Sequence, residues 1–259
     1  MGHIHLGVLP QTKKWAQVVE LLAAGGDVGE VAAASARAAE TDLDRASRDP
    51  ALVEAVRLLG LVPQAAKKDD FKGALTELGI VLPQNPLLHD LLAAVGMAFD
   101  ASIDAKRRSD FSEITRRALI GTLTDELGRR LPGLFAPDPN DLQIASRDLA
   151  SPPKFAGAAR EFFTRLLGGS LSYYLSRTLS ARVGEARTFS NTSERTNFDA
   201  ALDQYCWEAS RIIREFASGW YSKSVWQDGT ITASRAATFS SVAIKKLKEE
   251  LLRKREVDA

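Results

Sequence analysis

The chain has 259 residues, 45% of them hydrophobic and 26% charged, which are the proportions of an ordinary folded protein and exclude a disordered or fibrous one. With 34 Lys and Arg against 33 Asp and Glu, the net charge of +1 supplies no overall field toward nucleic acid or an anionic membrane, so any such binding has to come from a local patch. The single cysteine, Cys206, excludes an internal disulfide framework. The start MGHIHLGVLPQTKKW lacks the basic head and apolar core of a signal peptide, so a reducing, cytoplasmic setting is expected.

In chain order, only HIHLGVLP reads as a short strand; the rest repeats its apolar residues at helical spacing. Trp15, Val18, Val19 and Leu22 form a first stripe, which the Gly25–Gly26 pair ends, and Asp27 can cap the alanine-rich segment that follows. A third helix is expected from about Pro50 to Leu61, stopping at Pro63. Phe71, Leu75 and Leu78 share a face, and Pro86 sits at the start of a helix through Ile103. Leu87 to Ile103 is the most apolar run, but His89, Asp90 and Asp100 interrupt it, so no transmembrane helix is expected.

Phe111 to Leu131 forms the next helix, broken by Pro132 and the PDPND segment. After Pro152–Pro153 a long block is apolar around much of its circumference and reads as central, with a kink or junction at Gly168–Ser170. The same block, with its arginines, could also suit a membrane-surface helix. From Ser193 a stripe of Phe198, Leu202, Tyr205, Ala209, Ile212, Phe216 and Trp220 continues to Tyr221, and a charged helix from about Thr232 follows. The expected fold is all-α, a bundle of eight to ten helices with at most one N-terminal strand. Residues 1–150 form an N-terminal region and 151–259 a C-terminal region with the long central helices, the two able to form one continuous domain.

Chemistry-bearing residues are sparse. His3 and His5 form a His-x-His pair without further ligands, and Cys206 sits inside an apolar stripe rather than beside a base, so no metal, cofactor or catalytic residue is expected. Asp199 and Asp203 share a helix face, with Arg195 as the ordinary partner. The GGSLS stretch lacks both the nucleophile elbow and the Walker lysine. A repeat is suggested faintly by LGLVPQ at Leu59 and LGIVLPQ at Leu78, and VVELLAAGGDVGEVAAASARAAE resembles the first half of a helix-turn-helix.

Two candidate surfaces remain. Trp226, with Tyr221 and Lys223, reads as an aromatic and basic contact for a protein partner or a second copy of the chain, Trp226 lying in a loop past the helix end and Trp220 in the core. Arg107 and Arg108, Arg116 and Arg117, and Arg129 and Arg130 could follow phosphates, which makes nucleic acid a second candidate partner. The leading expectation is a non-enzymatic interaction or structural subunit of a larger complex, bacterial by its alanine and arginine usage. The alternatives are a nucleic-acid-associated protein and an enzyme without a detectable motif, the last favoured by a deep pocket lined with carboxylates. Far-ultraviolet circular dichroism should show the helical double minimum, and a dominant strand signal would contradict the all-α reading.

Overall fold

Polar residues at helix starts accept hydrogen bonds from amides that have no partner within the helix, and this fixes where the helices begin. In the computed structural model, which describes residues 12–103, 109–132, 138–179 and 192–257, Thr12 caps α1 (Lys13–Ala23) and Asp27 caps α2 (Val28–Ala38). α3 (Glu40–Ala46) follows, and Asp49 starts α4 (Pro50–Ala65) with Pro50 at the first helical position. Asp70 caps α5 (Phe71–Thr76), and Asp90 reaches back to the Leu87 amide at the head of α6 (Leu88–Ser102). Reciprocal capping pairs open α7 (Asp110–Gly128), through Ser109 and Ser112, and α8 (Pro139–Asp148), through Asp138 and Asp141. The remaining helices are α9 (Pro152–Leu179), α10 (Thr192–Ala209), α11 (Arg211–Asp228) and α12 (Ala233–Val257). Among the described residues there are twelve helices and no strand, and the fold is all-α.

The chain departs from its periodicity in four places. The alanine-rich segment is two helices, divided at Ala39, and α8 begins inside the PDPND stretch, where Asp138 and Pro139 act as start signals as well as breakers. α4 runs through Pro63, a buried residue in its last turns, because the packing of Val62 and Ala65 outweighs the one hydrogen bond that proline removes. The long stripe after Ser193 divides at Ser210, whose buried hydroxyl donates to the Cys206 carbonyl. As a result the inner face of α11 is Ile213, Ala217, Tyr221 and Ser224, one position on from the expected Ile212, Phe216 and Trp220, which are half-buried. The segment read as a strand, with His3 and His5, lies outside the described residues.

One cluster of buried side chains runs from Trp15 to Leu251. Its axis is α9, unbroken through Gly168–Ser170, which packs against α7, α10 and α11. α12 lies across α2, α3, α4 and α11. Aromatic rings tie the seam: Phe155 of α9 stacks on Tyr221 at 4.2 Å between centroids, and Phe239 of α12 meets Trp220 at 4.3 Å and Phe163 at 5.9 Å. No described helix is long and apolar enough to cross a membrane, and the apolar surface of α9 is taken up by its neighbours. The strings LGLVPQ and LGIVLPQ differ in structure, the first helical in α4 and the second a turn and extended segment after α5.

Helix approach depends on missing side chains. A Cβ on Gly60 would lie 2.1 Å from Cδ1 of the buried Ile231, and one on Gly169 would lie 2.9 Å from Cγ2 of Ile114. A Cβ on Gly157, also within a helix, would touch nothing. In urea denaturation Gly60→Ala should therefore destabilise by about 1–3 kcal/mol and recover part of the loss when Ile231→Val removes the clashing methyl. Gly157→Ala should instead stabilise by about 0.5–1 kcal/mol through helix propensity. The same sign for both glycines would contradict the close-approach account.

Candidate functional sites

Three places gather side chains that could act on something outside the chain. The first is the outer face of α11. Arg211, Arg214, Lys223 and Trp226 are exposed along it, and Trp226 keeps 83% of its surface in solvent. Trp226 stands on the last turn of α11, not in a loop, because the helix continues to Asp228 and ends at Gly229 in the left-handed conformation (φ 66°). Tyr221, expected beside it at the surface, is instead inside: it is 1% exposed, stacked on Phe155, and burial pushes its hydroxyl up to about 12, the neighbouring Gln64 amide opposing. The shift of the buried stripe after Ser210 accounts for this reversal.

Behind this face, Arg160 of α9 lies 3.7 Å over the Trp207 ring and donates to the Trp207 carbonyl at 2.9 Å. Burial lowers its pKa, and Arg214 and Arg211 lower it further by repulsion. Arg211 and Arg214 have no ion-pair partner among the described residues.

The second place is the arginine set on α7. Arg107 and Arg108 lie outside the described residues. The other four are committed to carboxylates of their own chain: Arg116 to Asp100 at 3.1 Å, Arg117 to Glu113 at 2.8 Å, Arg129 to Glu126 at 2.7 Å, and Arg130 to Glu126 at 2.6 Å and Asp148 at 2.8 Å. They fasten α7 to α6 and α8 as well as bracing it internally. The helix that would enter a DNA groove in a helix-turn-helix, α2, has Val31 to Ala36 buried.

The third place was not visible in the sequence. A half-open cavity of about 310 Å³ lies between α3, the start of α7 and α9. Leu43, Phe111, Ile114 and the rings of Tyr173 and Tyr174 make its apolar wall, and Asp42, Asp49, Asp110 and Arg45 are its charged groups. Tyr174 donates to Asp42 at 3.0 Å and Tyr173 donates to Asp110. The adjacent tyrosines meet edge to face at 5.3 Å, and Trp15 supports Tyr174 from behind at 4.8 Å. These contacts bring together residues up to 132 positions apart, so no local motif could announce them.

Asp199 pairs with Arg195 at 2.9 Å, as its spacing suggests. Asp203 lies in a further open cleft with Arg117, Arg165 and Tyr173, its pKa raised by burial and then by Asp199. Burial pushes the Cys206 thiol up to about 12, Asp203 adding to the effect, which leaves it a poor nucleophile. Among the described residues, no group of His, Cys, Asp and Glu is placed to hold a metal ion. Comparison with protein-family models, curated proteins and solved structures gives no match to this chain.

The role of the arginines as internal braces is testable by stability. Glu126 is only 10% exposed and Arg130 20%, so Arg130→Ala should cost about 1–3 kcal/mol by leaving a buried carboxylate short of donors. Arg117→Ala, which removes an exposed pair within one helix, should cost less than about 0.5 kcal/mol. Equal, negligible losses in chemical denaturation would show that Arg130 braces nothing.

Proposed function

We propose that the chain is a non-enzymatic helical subunit of a larger protein assembly, contacting its partner through the outer face of α11. The exposure of Trp226 carries this reading: the tryptophan is held on a regular helix turn at 83% exposure, while Trp15 is buried and Trp220 packs on Phe239. A tryptophan has only two side-chain torsions, so on a helix already formed it gives up little conformational freedom when it enters a partner's pocket. Arg211 and Lys223 flank Trp226 on this face against one exposed acid, Glu215, which suits a partner surface with an apolar recess and acidic groups beside it. Nucleic acid binding through the α7 arginines has less support, since the four described ones already hold carboxylates.

The test is recovery of the native partner with tagged protein, alongside light scattering to detect self-association. Trp226→Ala should leave the melting temperature unchanged and reduce partner recovery or self-association by about tenfold or more. Arg211→Ala with Lys223→Ala should weaken the complex and flatten its salt dependence. A monomer that recovers no partner, or a complex indifferent to Trp226→Ala, would overturn the reading.

A further inference from the structure

We propose that the cavity between α3, α7 and α9 binds a small organic cation, an ammonium group carried on an aromatic or short alkyl body. Its volume of about 310 Å³ is at the lower end of the range of small-molecule sites, and an apolar wall with a few convergent polar groups is the usual construction of such a site.

The sign of the ligand charge follows from the lining. Among the described residues that line it, Asp42, Asp49 and Asp110 oppose one cation, Arg45, whose side chain is 78% exposed and 3.6 Å from Asp42, so that water screens it. The acids lie at or within the first turns of α3, α4 and α7, and the positive helix ends offset part of their charge. At about half a charge for a full helix end and less for the seven-residue α3, the balance of the described lining stays negative.

The arrangement is also fixed in advance. The tyrosine hydroxyls donate to Asp42 and Asp110, orienting the carboxylates while leaving them lone pairs for an ammonium N–H. Tyr173 and Tyr174 line the same space, and aromatic rings attract cations where carboxylates supply the charge. An anion would meet the carboxylates, and a neutral molecule would gain only the apolar wall. The inference is independent of the α11 surface, which shares no residue with this cavity.

The experiment is calorimetric titration of the full chain at neutral pH with benzylammonium, benzyl alcohol and benzoate. The cation should bind saturably, about tenfold or more tighter than the alcohol, with no binding of benzoate. Asp42→Asn and Asp110→Asn should each weaken the cation by about tenfold while leaving the alcohol unchanged. Asp110 opens α7, so if its variant does not fold, Asp42→Asn decides alone, since the described partners of Asp42 are side chains. No saturable binding of the cation, equal binding of the alcohol, or a cation affinity unmoved by the substitutions would overturn the proposal.

Discussion

The fold depends on how closely the neighbouring helices can approach α9. At Gly169 the α9 surface has no side chain, and Ile114 of α7 occupies the space; at Gly168 the carboxylate of Asp203 on α10 lies 3.2 Å from where a Cβ would be. Packing at this distance maximises dispersion contact along the seam and brings the backbones near enough for side chains of one helix to reach the caps of another. Tyr173 can therefore donate to Asp110 at the very start of α7, and the same register leaves an opening on either side of the α7–α9 seam, each lined in part by Ile114 and Tyr173. These two open spaces are thus a product of the close contact between them.

Several arginines bridge neighbouring helices. Arg116 lies over Gly96 of α6, Arg165 lies over Gly121 of α7, and Arg147 donates to the Ala66 carbonyl at the end of α4. In each case the guanidinium spans two helices where a side chain is missing or a terminal carbonyl is free, which a planar multi-donor group does better than lysine. A count of basic residues along α7 therefore overstates the positive surface there. The uncommitted arginines at the α9–α11 junction are less conspicuous in sequence, because Glu215 and Glu208 are interspersed with them.

Elements with local causes could be read directly. The cap at Asp27, the helix end at Gly25 and the Arg195–Asp199 pair all follow from residues within four positions of one another. What escaped the sequence was decided by packing, or by a local bond that leaves the apolar period unchanged. Pro63 stays helical because its surroundings are packed, Ser210 breaks a stripe whose apolar period does not change, and Tyr221 exchanges places with its neighbour once the helix restarts in a new phase. The cavity needed α3 and α9 side by side, and its charged and aromatic groups look like ordinary surface and core residues until they meet.

The position of α12 bears on how the chain can be made. It lies across α2, α3 and α4, with Ile231 just before it set against Gly60, Lys248 bonded to Asp44 at 2.6 Å, and the Leu251 carbonyl accepting from Tyr205. The alanine face of α2 and the apolar side of α4 are not fully covered until residues near 250 have left the ribosome. At about 5–20 residues per second those surfaces wait roughly 10–40 seconds after their own synthesis. During that interval the emerging chain is a partly assembled bundle with an open groove, and its uncovered apolar helix faces are the surfaces through which such intermediates aggregate.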